Sequence, residues 1–336
     1  MTPDDAHTQT HTQALLRAVS RMLGMPVIRA SYEAAPLHGG TLGDVRLVQG
    51  IAKTAGGSAL PFRIVQKTQK RWERPGDPAS WRREYDLYRS NLGKFLPDTF
   101  RWPKCCHTEE REGEIEIWME YVEGISGARL SLHDLALAAG ALGSFQASCH
   151  AHAEALRKIS CLSDAGYMQR DYAQWSPDTV EYQYLRSARC ALPEHLKRLL
   201  IDTQSRSEAI FEDLRRLPQA LCHRDYWTEN IFVQNGGVIA IDWDCAGWGA
   251  IGEDIASLIA DETEASQIGA YYKRLVPAYC AGLREGMELP PMEAIPIREM
   301  ILIKFGYRLL QQVMFAESPQ PIAEAIRALE QIAALP

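Results

Sequence analysis

The sequence lacks the features that would assign it to several large classes of protein. It has eight cysteines but no C-x-x-C pair, and only Cys105 and Cys106 are adjacent, so we predict neither a zinc site nor a disulfide framework. The first residues, MTPDDAHTQTHTQ, have neither the basic nor the apolar region of a secretory leader. No apolar run approaches the roughly 18 residues that cross a bilayer. We therefore expect free thiols in a reducing cytoplasm and no membrane partner.

Two further absences narrow the function. No G-x-x-x-x-G-K-[ST] motif occurs anywhere, which excludes a P-loop nucleotide site. The net charge is −7, which argues against nucleic acid as a partner. That charge is uneven, because residues 1–122 carry 17 Lys+Arg against 15 Asp+Glu, whereas residues 123–336 carry 19 against 28. The acidity therefore belongs to the second part of the chain.

The hydrophobic pattern changes along the chain. The first part shows short β-type runs, and from about residue 132 helical periodicity dominates. The predicted helices are 13–24, 81–92, 132–159, 193–216, 266–285, 296–315 and 320–334, and the predicted strands are 45–48, 62–68 and 114–121. We therefore predict an α+β protein with a small β-rich domain at 1–122 and a mostly helical domain at 123–336.

One β-rich stretch interrupts the helical part, and it concentrates polar groups between apolar runs. Residues 221–249 read LCHRDYWTENIFVQNGGVIAIDWDCAGWG. Carboxylates placed among such runs are costly to bury unless they have partners. The polar residues in question are His223, Asp225, Asn230, Asp242 and Asp244.

A glycine turn indicates what those partners are. A strand pair turning at Gly236–Gly237 brings Asn230 and Asp242 to the same end. An amide oxygen and a carboxylate that converge there suit Mg²⁺, which prefers oxygen ligands and leaves room for phosphate. Asp225, on the loop before Asn230, could then accept a hydroxyl proton beside the metal.

The same stretch resembles the aminoglycoside phosphotransferase/choline kinase family. Its H-R-D-x-x-x-x-N loop, residues 223–230, and the following Ile241-Asp-Trp-Asp244 match that family better than protein kinases, which have D-F-G at the second position. An Asp254-Ile-Ala run follows, as is common in the family. The resemblance implies a protein-kinase-like two-lobed fold, ATP and Mg²⁺ as cofactors, and phosphoryl transfer to a hydroxyl of a small molecule.

Carried over residue by residue, the motif implies roles for the loop. Asp225 is the expected catalytic base, and Asn230 and Asp242 are the expected metal ligands. His223 and Asp254 are expected to support the loop structurally.

Other roles near the loop are less defined by the motif. Asp244, Trp227 and Trp248 are expected to contact substrate or to support residues that do. The aromatic rings of Tyr226 and Trp243 could also offer a face to a sugar or an ammonium group. Glu229 departs from the family pattern, which has a small residue before the asparagine.

The nucleotide side is implied by weaker matches. Val65-Gln-Lys67 resembles the end of the third kinase strand, and Glu84, on the next helix, resembles the glutamate that pairs with that lysine. Three glycines in residues 38–43 could approach the phosphates, and the expected contacts are Gly40 and Gly43. The segment 118–122 resembles the hinge that presents the backbone of Glu120 and Val122 to adenine.

Two alternatives remain beside a small-molecule kinase. A protein kinase would carry an A-P-E segment after the metal-binding aspartate, yet only twelve residues separate Asp242 from Asp254, with no A-P-E. A nucleotide-binding pseudokinase that serves as a scaffold would lack a catalytic group, yet all are present. The acceptor could be an aminoglycoside, an aminosugar, an amino alcohol or a sugar, and the acidic second part favours a cationic one.

Overall fold

A computed structural model describes residues 3–37, 43–175 and 179–336, with the side chains of all but 3–11 and 175. The strands are β1 (Val27–Pro36), β2 (Asp44–Thr54), β3 (Ala59–Lys70), β4 (Phe100–Arg101), β5 (Cys105–Arg111), β6 (Glu114–Glu120), β7 (Gln219–Cys222), β8 (Ile231–Gln234), β9 (Gly237–Ala240) and β10 (Gly247–Ala250). The helices are α1 (Pro3–Leu23), α2 (Ser80–Arg89), α3 (Leu132–Ala151), α4 (Ala153–Leu156), α5 (Tyr167–Trp175), α6 (Val180–Leu185), α7 (Glu194–Ser205), α8 (Ser207–Arg216), α9 (Glu253–Ala260), α10 (Ile268–Leu283), α11 (Ile297–Met314) and α12 (Pro319–Ala333).

One compact unit comprises residues 1–74, 78–93 and 102–123. It contains an antiparallel sheet of strand order β1-β2-β3-β6-β5. Because side chains alternate between the faces of a sheet, one face packs Ile64 and Trp118 against α1, and the other packs Ile115 and Ile117 against Trp81 of α2. The sheet is thus covered by a helix on each face.

A second compact unit comprises residues 75–77, 94–101 and 124–336. Helices α3 and α10 pack closely because small residues line their contact. A Cβ atom on Gly282 would lie 2.2 Å from the carbonyl oxygen of Gly140, so a larger residue there would force the helices apart. Two small sheets, β4-β9-β8 and β10-β7, complete the unit.

The β8–β9 hairpin follows directly on the predicted catalytic loop, residues 223–230. Its turn residues Asn235 and Gly236 have φ of 53° and 78°, the two positive values of a tight hairpin turn. The turn therefore begins one residue earlier than the sequence indicates. The hairpin register continues to its open end, where the amide of Ile241 donates to the carbonyl of Asn230 at 3.0 Å.

The α+β prediction is confirmed, whereas several element boundaries were wrong. In place of one predicted helix at 132–159 the structure has two, α3 and α4, which are separated at His152. In place of one predicted helix at 193–216 it has α7 and α8, which are separated at Arg206. Strands β1, β4 and β5 and helices α5, α6 and α9 were not predicted. The predicted division at 122/123 stays a prediction. None of the eight cysteines, all of which the structure describes, forms a disulfide, and no helix in the described ranges is long and apolar enough to cross a membrane.

Candidate active site

The loop between β7 and β8 brings two of the predicted site residues into direct contact. The Asn230 amide Nδ2 donates to Asp225 twice, to its carboxylate Oδ2 at 2.7 Å and to its main-chain oxygen at 2.9 Å. Asn230 is buried and Asp225 is half-buried. One oxygen of each side chain, Oδ1, is thus left for other ligands. The bond to the main-chain oxygen holds the Asn230 amide in place, and the bond to Oδ2 fixes the orientation of the Asp225 carboxylate.

Backbone strain is concentrated around this loop. Arg224 has a φ of 70° and Asp242 a φ of 65°, a region that L-residues with bulky side chains rarely adopt. Such conformations persist only where the surroundings determine them, and they cluster at functional sites. The residues before the predicted base and at the predicted metal ligand are therefore both held in unfavourable conformations.

A buried carboxylate holds the strained backbone in place. Asp254 at the start of α9 accepts the backbone N–H of His223 at 2.8 Å and of Arg224 at 2.7 Å. It also accepts the Gln146 amide at 3.0 Å. The ring of His223 donates from Nε2 to the carbonyl of Ile241 at 2.9 Å. These contacts fit the predicted supporting roles of His223 and Asp254.

The Arg224 side chain is buried in a cage of acceptors, which sequence reasoning missed. Its guanidinium pairs with Glu253 at 3.3 Å, donates to the Asp164 carbonyl at 3.0 Å, and lies 4.5 Å from the centre of the Tyr167 ring. It also donates to Ser163 Oγ and to the carbonyl of Trp248. The members of this cage come from residues 163–167 and from Trp248 and Glu253, all more than 20 positions from Arg224, so the cage depends on tertiary folding.

Lys304 is a second residue that the sequence did not indicate. Its ammonium donates to the main-chain oxygen of Arg224 at 3.4 Å and to Ser257 Oγ. The carbonyl it holds belongs to the peptide that leads into Asp225. Lys304 lies on α11, about 80 residues from the loop, and no spacing rule connects the two.

The electrostatic environment makes Asp225 a stronger base than an exposed aspartate. Burial raises its pKa above the ordinary value, and the nearby carboxylates of Asp242 and Asp261 raise it further. The Lys304 ammonium and the Asn230 hydrogen bond act in the opposite direction. A raised pKa brings a carboxylate closer to the range useful for general-base catalysis.

The donor set around Asp225 and Asp242 also fits a cation. The Asp242 carboxylate raises the pKa of Asp225, and a cation beside the two carboxylates would relieve this repulsion. Asn230 Oδ1 adds a neutral oxygen. Mg²⁺ is commonly held by one or two protein oxygens together with substrate phosphates. Among the described residues, no group of three or more His, Cys, Asp or Glu side chains could hold a metal by itself, so a bound phosphate would have to complete the shell.

In the other compact unit, the predicted lysine–glutamate pair is formed. Lys67 Nζ lies 2.6 Å from Glu84 Oε2, and both side chains are nearly buried, at 11% and 3% exposure. Lys67 is on β3 and Glu84 is on α2. The strand and helix therefore present the ammonium in a fixed position, as the resemblance implies.

The remaining predicted nucleotide contacts are only partly described. Gly43 is described, and its Cβ position lies 3.0 Å from the carbonyl oxygen of Thr68, whereas Gly40 lies outside the described residues. The Glu120 N–H is already bonded to the Lys104 carbonyl at 2.9 Å, so Glu120 could offer adenine only its own carbonyl. Val122 is buried.

The aromatic residues near the loop are mostly structural. Tyr226 and Trp243 are fully buried, and the Tyr226 hydroxyl and the Trp243 ring N–H each donate to a main-chain carbonyl. Trp248 is buried beneath the Arg157 guanidinium, 4.3 Å from its ring centre. Only Trp227 is half-buried, so it is the one of these rings with a face left for a substrate.

The carboxylates that flank the loop differ in exposure. Asp244 is buried, which argues against a solvated turn residue. Glu229 is exposed, and its carboxylate occupies the space where a side chain on Gly127 would lie, 2.4 Å from that Cβ position. Gly127 has a φ of 60°, so this glycine makes room for the unusual glutamate.

An aspartate–asparagine loop, a second aspartate after a hairpin, and a lysine–glutamate pair are the parts of a kinase-type active site. The model of the phosphotransferase enzyme family (APH) matches residues 59–289. The chain belongs to this family, and it is a small-molecule kinase. A comparison with curated protein sequences gave no significant match.

Solved structures with the same fold include kinases of several small molecules. The amicoumacin kinase hAmiN, in complex with AMP-PNP, Ca²⁺ and Ami, is 13% identical, with 98% of this chain and 96% of that chain covered and a TM-score of 0.52. A thermostable mutant of the aminoglycoside phosphotransferase APH(4)-Ia, with AMP-PNP and hygromycin B, is 15% identical. The match covers 91% of this chain and 93% of that chain, with a TM-score of 0.52. A choline/ethanolamine kinase family protein from Mesorhizobium loti is 12% identical. The match covers 90% of this chain and 89% of that chain, with a TM-score of 0.54. At these identities the likeness shows the fold alone.

Proposed function

We propose that the protein transfers the γ-phosphoryl group of ATP to a hydroxyl group of a small molecule, with Mg²⁺ as cofactor. The main support for the proposal is the Asp225 carboxylate, whose orientation is fixed by a hydrogen bond from Asn230. Asn230 holds one of its oxygens at 2.7 Å, and the other is left for an acceptor hydroxyl. In this reaction type the protein contributes mainly positioning and charge neutralisation.

In the proposed reaction Asp225 orients the acceptor hydroxyl and accepts its proton. Its raised pKa favours proton transfer as the new O–P bond forms. Asn230 keeps the carboxylate in position, and Lys304 and Asp254 keep the backbone on either side of Arg224 in its strained conformation.

The metal would be held by Asn230 Oδ1 and the Asp242 carboxylate together with phosphate oxygens. Bound there, Mg²⁺ would neutralise charge on the phosphates. Lys67, fixed by Glu84, would hold the phosphate oxygens that do not react. The Glu120 carbonyl and the Val122 amide would face the adenine edge.

ADP release with a panel of hydroxyl compounds tests the transfer. Turnover with at least one small alcohol, sugar or aminoglycoside is expected. No turnover with any of them, combined with tight nucleotide binding, would favour the pseudokinase alternative. Transfer to peptides instead would favour a protein kinase.

The metal assignment is tested by a matched pair of variants. Asp242→Ala should abolish the Mg²⁺ dependence of ATP affinity. Asp244→Ala should weaken it only partly, because Asp244 lies two residues beyond Asp242. Titration of ATP binding against Mg²⁺ measures both. Equal losses would show that the primary carboxylate ligand is misassigned.

We further propose that the acceptor carries an amino group. Support comes from the acidic balance of residues 123–336 and from the Asp261 carboxylate, whose charge reaches Asp225. Amine-bearing alcohols or aminosugars should therefore have higher kcat/KM than neutral analogues of equal size, and salt should reduce the difference. A preference for neutral sugars without salt dependence would remove the amine from the proposal and leave the kinase activity standing.

A further inference from the structure

The first strand of the five-stranded sheet is an exposed edge. β1 has β2 on one side and no strand on the other within the part of the chain that the structure describes. Every residue from Ser31 to Pro36 is exposed. Such an edge carries a row of backbone N–H and C=O groups that can pair with another strand.

The register of the sheet shows which groups point outward. The amide of Leu37 donates to the carbonyl of Val45 at 2.8 Å, and this pairing continues in register through Ser31 and Ile51. Hydrogen-bonded and non-hydrogen-bonded pairs alternate along an antiparallel ladder. From Arg29 to Ala35 the odd-numbered residues of β1 therefore bond to β2, and the even-numbered residues turn their backbone groups outward. The outward-turned residues with a free N–H position are Ala30, Tyr32 and Ala34.

The charges on β1 are incompletely matched within one chain. Arg29 lies directly opposite Lys53 of β2, and both are exposed. Like charges directly opposite each other destabilise a strand pair. Glu33, four residues further along the same face, is opposite Gln49, from which it accepts a hydrogen bond at 2.8 Å. The edge thus displays a positive and a negative site at fixed spacing.

We propose that β1 pairs antiparallel with β1 of a second copy of the chain, about a two-fold axis at Ser31. In this register Ala30 lies opposite Tyr32 of the second copy, so that the outward N–H and C=O groups bond to each other. Arg29 lies opposite Glu33 of the second copy in a non-hydrogen-bonded pair, where side chains come closest. The two-fold axis forms this ion pair twice.

Charge selects this register over its neighbours. A shift that still pairs outward groups moves the axis by one residue, to Ala30 or to Tyr32. Arg29 would then face Ser31 or Ala35 instead of Glu33. The interface is self-complementary, as a two-fold dimer requires.

Two features limit the length of the paired edge. A register irregularity lies between Val27 and Arg29, and Pro36 at the other end has no N–H to donate. Exposed apolar side chains lie along this edge and on β2 next to it. Ile28 is 59% exposed, Tyr32 41% and Ile51 of β2 47%. A short ladder flanked by such side chains is suited to a reversible dimer.

Charge exchange tests the interface. Sedimentation velocity over a range of protein concentrations should give a monomer–dimer equilibrium for the native chain. Arg29→Glu and Glu33→Arg should each weaken the dimer by about tenfold or more, because each places like charges opposite each other twice. The double variant Arg29→Glu/Glu33→Arg should restore it. Thermal melting of each variant shows whether the exposed substitutions leave the fold intact.

A native chain that stays monomeric at all concentrations would overturn the proposal. So would a dimer that none of the charge variants affects, because the interface would then lie elsewhere.

Cysteine cross-linking tests the axis independently of affinity. Ser31→Cys faces its own copy in the proposed register and should form a disulfide-linked dimer under mild oxidation. Ala35→Cys is the matched control, since it is exposed on the same strand but faces Val27 of the second copy. Equal cross-linking of both, or of neither, would overturn the Ser31 axis.

Discussion

The two compact units bury charge in different ways. In the second unit Asp254 is fully buried and its carboxylate accepts two backbone N–H groups of the catalytic loop. In the first unit Lys67 and Glu84 form an ion pair between a strand and a helix. Asp254 therefore fixes the backbone of the loop, whereas Glu84 fixes the side chain of Lys67. Substitutions should therefore affect folding and turnover together in one unit, and mainly nucleotide affinity in the other.

The comparison also separates support from chemistry within the catalytic loop. Asp225 is half-buried and has one oxygen fixed by Asn230, whereas both oxygens of Asp254 accept backbone N–H groups of the loop. A carboxylate with a free oxygen can exchange a proton with a substrate, but one whose oxygens are both engaged holds its neighbours. The two aspartates, 29 positions apart, therefore differ in what their loss removes.

The largest expected effect is on turnover in Asp225→Asn. Loss of general-base assistance typically lowers kcat by about 10²–10⁴. The fold should remain, because burial already disfavours the charge of Asp225 and an amide oxygen can still accept from Asn230. Steady-state kcat, ATP affinity and a thermal melt measure the three properties. A kcat near that of the native protein would contradict the assignment of Asp225 as the base.

Asp254→Ala should reduce both stability and turnover. It leaves the N–H groups of His223 and Arg224 and the amide of Gln146 without their acceptor, and unfolding free energy should fall by about 3–5 kcal/mol. Asp254→Asn is the matched control. Its one amide oxygen can still accept some of these hydrogen bonds, so this variant should lose less stability than Asp254→Ala. Urea unfolding measures both variants. Identical losses would mean that the acceptor oxygens are not what stabilises the loop.

The sequence indicated the polar groups of the predicted catalytic loop and two of its supports, His223 and Asp254, but not the supports that come from distant parts of the chain. Asp225, Asn230 and Asp242 are predictable because local spacing and one hairpin bring them together. Lys304 was missed because it reaches the loop from a helix about 80 residues away. Its helix was predicted, yet nothing in the helical periodicity marks which lysine turns toward Arg224.

Strand β1 was missed for a related reason. Strand prediction relies on alternation of apolar and polar residues, and β1 is exposed on both faces along most of its length. It is a strand because β2 bonds to its backbone. Conversely, β3 and β6 were predictable because their apolar residues alternate beneath helices α1 and α2.

Glu84→Gln should have a smaller effect, mainly on the nucleotide side. The neutral amide leaves the nearly buried Lys67 ammonium without its counter-charge, which should cost about 1–3 kcal/mol of stability and lower ATP affinity. Asp86→Asn on the same helix is the control, because its pair with Arg82 is about 30% exposed and such pairs contribute about 0–1 kcal/mol. Chemical unfolding and nucleotide titration compare the two. If Asp86→Asn lowered ATP affinity as much, the Lys67–Glu84 pair would have no special role.

The smallest expected effect concerns pH and His107, on β5 in the first unit. Burial lowers the pKa of His107 below 6.5, and the Glu109 carboxylate beside it opposes that shift only in part. As the pH falls through 6.5, His107 therefore binds a proton in the unfolded chain before it does so in the folded chain. The free energy of unfolding is thus unaffected by His107 above about pH 6.5 and decreases as the pH falls below it. His107→Gln, which cannot titrate, should flatten this loss by less than about 1 kcal/mol, with kcat unchanged at neutral pH. Unfolding free energies measured at several pH values below 7 provide the check, and a slope identical to that of the native protein would show that His107 titrates alike in both states.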